Sequence, residues 1–308
     1  RMKTVVFAYH SIGIIGLKAL QEDGWDIQAV FTHAGDPGET RWFGSVRDWA
    51  VENGVPVHLP EEVNAPEWMT FIRNLAPEVF FSFYYRKLLS ADLLSLASRG
   101  AYNLHGSLLP AYRGRCPVNW VLINGETRTG VTLHHMIDRP DAGDIVAQRE
   151  VPIDPQDTAL DLFRKLGRSA ELLLRDILPQ IREGTAPRRP QDLSMGRYYG
   201  GRRPEDGRID WTWPALRIYN LIRAVTRPYP GAFTLLPDGR TMRVWWARIV
   251  PSVSDRAPGF LECSGGDAFV IAGDRNRIRL LDIELEGRSL RGAEIGPYLS
   301  TLEGILLK

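Results

Sequence analysis

Short apolar runs alternate with helix-length amphipathic segments through the first third of the chain, and this alternation constrains the fold more than any other feature. The runs cover residues 4–9, 27–31, 79–84 and 101–105. They are almost continuously apolar, as expected of strands that are buried on both faces. Buried strands separated by helices predict an α/β fold, Rossmann-like, with a mostly parallel sheet wrapped by helices.

The C-terminal part of the chain has a different pattern. Residues 191–209 collect Gly, Pro and Arg without periodicity, which predicts a linker. Beyond them, short alternating segments follow one another, and Asp238-Gly239 is a strong hairpin signal. We therefore expect a catalytic domain over residues 1–190 and a smaller β-rich domain, an OB-like barrel, over residues 210–308.

Composition excludes several classes of protein. The 308 residues are 44% hydrophobic, enough for a large core, and 38 Lys and Arg against 37 Asp and Glu give a net charge of +1. That balance offers no reason to expect a nucleic-acid partner. No apolar run reaches the roughly 18 residues of a membrane span, so no membrane partner is expected. Two distant cysteines, Cys116 and Cys263, form neither a disulfide scaffold nor a zinc site, which favours a cytoplasmic protein.

The turn after the first predicted strand contains glycines, as dinucleotide-binding folds do. The sequence from His10 to Gly13 and Gly16 is, however, not G-x-G-x-x-G, and no acidic residue ends the second strand. A nicotinamide-dependent oxidoreductase is therefore disfavoured, and a tight strand-to-helix turn is the preferred reason for these glycines.

The remaining histidines outside residues 101–105 do not predict a metal site. His134 and His135 are adjacent in a predicted strand, so their side chains point to opposite faces and do not chelate together. His33 and His58 have no ligand-like spacing to them. We expect structural roles for all four and no bound metal.

Asn103 and His105 are different, because they lie two residues apart in a predicted strand and share one face. They also end that strand, where open α/β sheets bind ligands. A histidine exchanges a proton near neutral pH, and an amide donates to a developing oxyanion. Asp141, in a later Gly-containing turn, offers a carboxylate to orient His105. Together these residues predict an acid–base constellation of the kind used in acyl transfer.

The same region resembles the 10-formyltetrahydrofolate-dependent formyltransferases. The resemblance rests on NLHGSLLP at 103–110, YRGR at 112–115, Trp120, GET at 125–127, TGVT at 129–132, Met136 and DAG at 141–143. Further on, PEDGRIDW at 204–211 and PGAF at 230–233 resemble the start of that family's second domain. The resemblance covers nearly the whole chain.

The resemblance implies formyl transfer from 10-formyltetrahydrofolate to an amine, without a metal, and with Asn103, His105 and Asp141 as the catalytic residues. The folate contacts that it implies are Lys87, Leu88, Leu89, Arg115, Ile137, Asp138, Arg139, Pro140 and Asp141, with backbone groups favoured at the two leucines. Arg113, Arg202 and Arg203 are candidate partners of an anionic acceptor, although exposed arginines are more often simply solvated.

Within the family, VVFAYHSIG at the N-terminus, FTHAGDPGE at 31–39 and FSFYYRKLL at 81–89 resemble one branch. That branch formylates UDP-4-amino-4-deoxy-L-arabinose, a nucleotide-linked amino sugar of lipid A modification and polymyxin resistance. In the bifunctional enzyme a decarboxylase domain follows, and the sequence leaves open whether this chain is an excised domain or a stand-alone relative. Another nucleotide-linked amino sugar, methionyl-tRNA as acceptor, and a non-catalytic nucleotide-binding relative also remain open.

Overall fold

A computed structural model describes all 308 residues, which form two compact units. The first unit comprises Arg1–Pro117, Arg128–Pro152 and Phe163–Gly200, and the second comprises Val118–Thr127, Ile153–Leu162 and Gly201–Lys308. The division between Gly200 and Gly201 falls within the segment predicted as a linker.

The four strands predicted from the apolar runs of residues 4–105 are all present. From the N-terminus the elements are β1 (Lys3–Ala8), α1 (His10–Glu22), β2 (Asp26–Phe31), α2 (Val46–Glu52), β3 (Val57–His58), α3 (Pro66–Leu75), β4 (Val79–Phe83), α4 (Ala91–Leu94), β5 (Ala101–His105), β6 (Arg113–Gly114), α5 (Pro117–Ile123), β7 (Arg128–His135), β8 (Ile145–Pro152), α6 (Ala159–Glu183) and β9 (Tyr198–Tyr199). The rest are α7 (Ala215–Val225), β10 (Ala232–Leu235), β11 (Thr241–Val250), β12 (Leu261–Ser264), β13 (Asp267–Ile271), β14 (Arg277–Leu285), β15 (Arg288–Arg291) and α8 (Ile295–Leu299). No helix among them has the length and apolarity to cross a membrane.

A seven-stranded sheet in the order β3-β2-β1-β4-β5-β7-β8 organises the first unit. The first five strands of that order are parallel, whereas β7 pairs antiparallel with β5 and β8 pairs antiparallel with β7. This arrangement confirms the prediction of a Rossmann-like, mostly parallel sheet. The antiparallel pairing of β7 with β5 places a further strand directly beside the part of β5 that carries Asn103 and His105.

The core on one face of this sheet is aromatic. Phe7 of β1 stacks on Phe31 of β2 with ring centroids 5.3 Å apart and meets Phe80 of β4 edge-on at 5.4 Å. All three rings are fully buried. Burying such a side chain stabilises the fold by about 1.5–3 kcal/mol, so these three rings help to hold the parallel strands together.

Gly13 and Gly16 lie inside α1, and the prediction that they form a tight turn is wrong. A Cβ on Gly16 would lie 2.3 Å from Cδ2 of Phe83, and one on Gly13 would lie 2.8 Å from Cγ2 of Val46. The glycines therefore allow α1 to pack closely on the sheet and on its neighbouring helix. Neither has a positive φ.

The second unit contains an antiparallel sheet in the order β10-β11-β14-β13-β12, with β15 paired to β14. The predicted hairpin at Asp238-Gly239 joins β10 to β11, and Gly239 has a φ of +88°. This sheet confirms the prediction of a β-rich C-terminal domain. Buried Arg223 of α7 donates to the carbonyls of Asp154 and Asp157, which joins the segment Ile153–Leu162 to this unit.

Candidate active site

Three polar side chains meet where β5 pairs with β7. Asn103 and His105 project from the same face of β5, and His134 lies directly opposite Asn103 in the register of the two strands. His105 is 7% exposed and His134 is 2% exposed, whereas Asn103 is half-buried. Of the three side chains in this cluster, only Asn103 is therefore partly exposed to solvent.

The partners of His134 determine how it holds Asn103. Its Nδ1 lies 2.8 Å from the carbonyl oxygen of His135, and because a carbonyl only accepts, Nδ1 carries the proton. Its Nε2, 3.1 Å from Nδ2 of Asn103, is then free to accept from that amide. This hydrogen bond turns the amide nitrogen of Asn103 toward the cluster, and the second N–H of that nitrogen remains available as a donor.

Asp141 completes the cluster from the loop after β7. One carboxylate oxygen lies 3.5 Å from Nδ1 of His105 and 3.6 Å from Nε2 of His134, and the other accepts from the backbone N–H of Gly114 at 2.8 Å. Burial alone would raise the pKa of Asp141, but the neighbouring His105 imidazole and the Gly114 N–H outweigh it and lower the pKa to about 2. Asp141 is therefore ionised throughout the neutral range.

His105 is held at both ring nitrogens. Its Nδ1 faces Asp141, and its Nε2 lies 2.7 Å from the carbonyl oxygen of Tyr112. Because that carbonyl only accepts, Nε2 is a donor. An imidazole that faces a carboxylate at one ring nitrogen and carries a proton on the other has the arrangement that a general acid requires.

The loop between β5 and α5 is anchored beneath the cluster by Thr132. The buried Thr132 hydroxyl donates to the carbonyl of Ser107 at 2.7 Å and accepts from the backbone N–H of Leu109 at 3.1 Å. The Nε2 of Gln148 donates to the same hydroxyl at 3.0 Å. These bonds fix the chain just after His105, before it turns through Tyr112, whose φ is +57°.

Arg113, predicted as a partner of an anionic acceptor, is directed into the protein. It is 3% exposed, and its Nη2 donates to the carbonyls of Leu193, Met195 and Gly196 at 3.2–3.4 Å. Its Nε and Nη1 are also buried, without a hydrogen-bond partner. Arg113 thus contacts the chain itself through Nη2, which donates to backbone carbonyls of residues 193–196.

The residues predicted to contact folate differ in exposure. Leu88 and Ile137 are large apolar side chains that are 67% and 44% exposed. Leu89, in contrast, is 6% exposed and belongs to the core cluster, so its side chain is not available to a ligand. Arg115 is exposed, and Lys87 is partly exposed; Asp138, Arg139 and Pro140 are also exposed.

Arg202 and Arg203 belong to the second unit. The guanidinium of Arg202 lies 4.8 Å from the centroid of the Trp120 ring and donates to the carbonyl of Asp206. The backbone N–H of Arg203 donates to the Asp206 carboxylate. Their contact with an acceptor stays a prediction.

Sequence reasoning missed His134. A structural role was expected for it, yet it contacts Asn103 and lies near Asp141. Its position becomes visible only when β7 is paired with β5 in the observed register, which places His134 beside Asn103. The neighbouring His135 points away and packs against Tyr102, with ring centroids 4.8 Å apart. No group of three or more His, Cys, Asp or Glu side chains in the structure is arranged so that it could hold a metal ion.

Comparison with known families decides the class of protein. A family model described as formyl transferase matches residues 16–177, and a model described as formyl transferase, C-terminal domain, matches residues 202–295. The chain belongs to the formyl transferase family. The two matched segments correspond to the Rossmann-like sheet with its polar cluster and to the β-rich part of the chain.

Solved structures of formyl transferases share the fold. An N-formyltransferase from Helicobacter canadensis, in complex with folinic acid and dTDP-3-aminofucose, is 21% identical with a TM-score of 0.68 over 91% of this chain and 99% of its own. WlaRD, a sugar 3N-formyl transferase solved with dTDP and 5-N-formyl-THF, is 18% identical with a TM-score of 0.70 over 93% and 98%. A sugar N-formyltransferase from Shewanella sp FDAARGOS_354 is 20% identical with a TM-score of 0.64 over 79% and 96%.

Proposed function

We propose that this formyl transferase moves the formyl group of 10-formyltetrahydrofolate to the amine of a nucleotide-linked amino sugar. The observation that carries the proposal is the cluster of Asn103, His105 and Asp141, which combines an amide donor, an imidazole donor and an ionised carboxylate within one site. Relatives of the same fold bind a folate together with a dTDP-linked sugar or with dTDP.

The reaction needs a nucleophile, an oxyanion site and a proton carrier. The neutral amine attacks the formyl carbon, and the free N–H of Asn103 donates to the oxyanion of the tetrahedral intermediate. The bond from the formyl carbon to N10 of the folate then breaks as the new C–N bond is kept. Nε2 of His105 donates its proton to N10 as this bond breaks and takes up the proton that leaves the attacking amine, and Asp141 holds the ring throughout. Nε2 of His105 exchanges the Tyr112 carbonyl for a substrate nitrogen in this step.

The folate is proposed to lie against residues 87–89, Arg115 and residues 137–141. Leu88 and Ile137 offer exposed apolar surface to the pterin and aminobenzoyl rings, because large apolar side chains at such exposure gain from being covered by a ligand. At Leu89 the contact is through the backbone. Arg115 offers an exposed guanidinium to a folate carboxylate or carbonyl.

For the acceptor we propose UDP-4-amino-4-deoxy-L-arabinose. The support is the resemblance of residues 5–13, 31–39 and 81–89 to the branch that formylates it. Arg202 and Arg203 are the proposed partners of the diphosphate, since a nucleotide sugar is anionic and Arg202 is partly exposed and Arg203 exposed. Arg113 would have to release the 193–196 carbonyls to take part.

The test is tetrahydrofolate release from 10-formyltetrahydrofolate, followed with UDP-4-amino-4-deoxy-L-arabinose as acceptor. Parallel reactions contain dTDP-linked amino sugars and methionyl-tRNA, and the His105→Ala variant is the inactive control. Turnover with the UDP sugar, lost in His105→Ala, is the expected result.

Each other outcome has a definite meaning. Turnover with a dTDP sugar alone keeps the class of acceptor and rejects the UDP sugar. Turnover with methionyl-tRNA alone rejects an amino sugar. If folded protein releases no tetrahydrofolate with any acceptor, the proposed reaction is wrong and a non-catalytic relative is favoured.

A further inference from the structure

The segment 188–199, between α6 and the second unit along the chain, lies against the loop that carries Asp141. The two backbone groups of Arg189 exchange hydrogen bonds with those of Ile145, at 2.7 and 2.9 Å. The Tyr198 hydroxyl donates to the carbonyl of Pro140 at 2.6 Å. The segment therefore holds this loop on both sides of Asp141.

Gln191 makes the contact nearest to the carboxylate. Its Nε2 donates to the carbonyl of Asp141 at 2.9 Å and to the carbonyl of Gly143 at 2.6 Å. One side-chain amide thus bridges the first and the last residue of the turn 141–143. Both hydrogen bonds are to backbone groups, so Gln191 acts on the conformation of the turn and does not touch the carboxylate.

The same segment also contacts the loop on the other side of the cluster. Residues Tyr198–Tyr199 pair with Arg113–Gly114 as parallel strands, and the backbone N–H of Arg115 donates to the carbonyl of Tyr199. Arg113 donates to three carbonyls of the segment. Gly114, held in this way, gives its N–H to Asp141. The segment thus contacts both the loop that carries Asp141 and the loop that carries Gly114, which binds the Asp141 carboxylate.

The backbone of Asp141 needs such support. Its φ is +54°, in the left-handed region that residues with a side chain adopt infrequently and that persists where surrounding contacts hold it. Relaxation of this residue to a negative φ would turn its carboxylate away from His105. Gln191 donates to the carbonyl of the strained residue itself.

We propose that Gln191 is a positioning residue for catalysis: it holds the turn 141–143 in the conformation that directs the Asp141 carboxylate at Nδ1 of His105. This inference rests on the role of Asp141 in the proposed function. It extends the site from the β5 and β7 strands to a segment of the chain expected to be a linker.

The first experiment does not depend on the acceptor. Proton–nitrogen NMR of protein labelled with ¹⁵N-histidine reports the ring nitrogens of His105 in the wild type, Gln191→Leu and Asp141→Asn. We expect the Nδ1 signal of His105 in Gln191→Leu to move from its wild-type position toward its position in Asp141→Asn. A wild-type His105 signal in folded Gln191→Leu protein would overturn the proposal.

The matched control is Gln180→Leu. Gln180 also donates Nε2 to a backbone carbonyl, that of Asp176, but it does so within α6 and away from the cluster. This variant loses the same chemical group and is expected to keep the wild-type His105 signal and wild-type kcat. A shift equal to that of Gln191→Leu would show that the signal reports general loosening, and would contradict the proposal.

Kinetics provide the second experiment, with the acceptor that gives turnover. Because a small misplacement of a catalytic group costs up to about 100-fold, we expect Gln191→Leu to lower kcat about 10- to 100-fold. If Gln191 acts through Asp141, adding Gln191→Leu to Asp141→Asn lowers kcat no further. A full additional loss in the double variant rejects the positioning role. Wild-type kcat in Asp141→Asn alone would instead reject the proposed role of Asp141.

Tyr198→Phe keeps the test decisive if Gln191→Leu does not fold. It removes one hydroxyl and the hydrogen bond to the Pro140 carbonyl, and leaves the ring between the guanidinium groups of Arg113 and Arg139. We expect a smaller loss of kcat, several-fold, which disappears in the Asp141→Asn background. Tyr298→Phe, at a partly buried ring near Arg288, is the control and is expected to keep wild-type kcat. Wild-type kcat in Tyr198→Phe would contradict the role of the segment.

Discussion

The amide nitrogen of Asn103 lies 3.1 Å from Nε2 of His134, its direct neighbour across the pairing of β5 with β7. An amide side chain has two orientations of similar shape that present opposite hydrogen-bonding groups. His134 selects the orientation that puts the N–H groups inside the cluster, because its Nδ1 proton is committed to the His135 carbonyl and its Nε2 accepts. His134 thus determines which group of the Asn103 amide faces the cluster.

Replacing His134 should therefore impair the oxyanion site. In His134→Leu, Asn103 loses the acceptor that orients it, and the amide is free to turn its oxygen inward. Removing an oxyanion donor outright costs about 10²–10³ in kcat, and we expect a loss of about tenfold or more from misorientation. Steady-state kinetics of tetrahydrofolate release measure it.

His135→Leu is the matched control for this change. His135 is adjacent in the chain but points to the opposite face, where it packs on Tyr102. The His135→Leu variant should keep kcat within a few-fold of wild type, although loss of this ring contact is expected to change its free energy of unfolding. Equal losses of kcat in the two variants would show that β7 is generally disturbed, and would contradict a specific role for His134.

The sequence predicted the parallel strands and the facing pair Asn103 and His105 because both depend on local pattern. Continuous apolar runs indicate buried strands, and a separation of two residues indicates a shared face. Asp141 was also predicted, because it is a carboxylate in a Gly-containing turn that is itself one of the motifs carrying the family resemblance. These features need no knowledge of which strands are neighbours.

His134 and Gln191 were not predicted, because their roles depend on long-range pairing. His134 joins the site only through the antiparallel register that sets it opposite Asn103. Gln191 lies about 50 residues from Asp141 in a stretch of Gly, Pro and Arg that has the composition of a linker. The burial of Arg113 was missed for the same reason, since its partners are carbonyls of that stretch. Backbone acceptors leave no signature in side-chain composition.

Asp141→Asn tests the charge of the cluster without changing its shape. Burial opposes ionisation of Asp141, but the neighbouring His105 imidazole and the Gly114 N–H favour the carboxylate and lower its pKa. The amide removes the negative charge opposite His105, so we expect kcat to fall about 10²–10⁴-fold, as for loss of an acid–base partner. Asp176→Asn, at an exposed position of α6, should keep wild-type kcat. Activity in Asp141→Asn above about a tenth of wild type would rule out an electrostatic role for Asp141.

Gly143 is required for the turn that carries Asp141. A Cβ at this position would lie 1.8 Å from the backbone oxygen of His135, a distance that no side chain adjustment relieves. Gly143→Ala must therefore displace the turn or the end of β7, and we expect both a lower Tm and a large loss of kcat. Gly200→Ala has open space around its Cβ and no positive φ, so it should be neutral or stabilise by about 0.4–1 kcal/mol. Thermal unfolding and kinetics of both variants check this, and a native Tm in Gly143→Ala would contradict the close approach.

His10 should make the stability of the protein depend on pH. It begins α1 and is buried among the rings of Trp42, Phe43 and Phe163. This burial, helped by the charge of Arg86 and opposed by Glu39, lowers the pKa of His10 to about 3. In the unfolded chain the pKa of a histidine is about 6.5. Below pH 6.5 the unfolded chain therefore takes up a proton that the folded chain refuses until about pH 3, and the free energy of unfolding falls as the pH is lowered.

The size of this dependence can be measured by urea unfolding between pH 7 and pH 4. Once the unfolded histidine is fully protonated, it contributes a slope of about 1.4 kcal/mol per pH unit. His10→Asn removes that contribution, and asparagine tolerates the φ of +68° at this position better than most residues. We expect the slope between about pH 5.5 and pH 4 to be smaller in His10→Asn by about that amount. Phe80→Leu also removes a buried ring, but one that packs on Phe7 and not on His10, so it should lower stability equally at every pH. An unchanged slope in His10→Asn would mean that His10 is protonated in the folded protein as readily as in the unfolded chain.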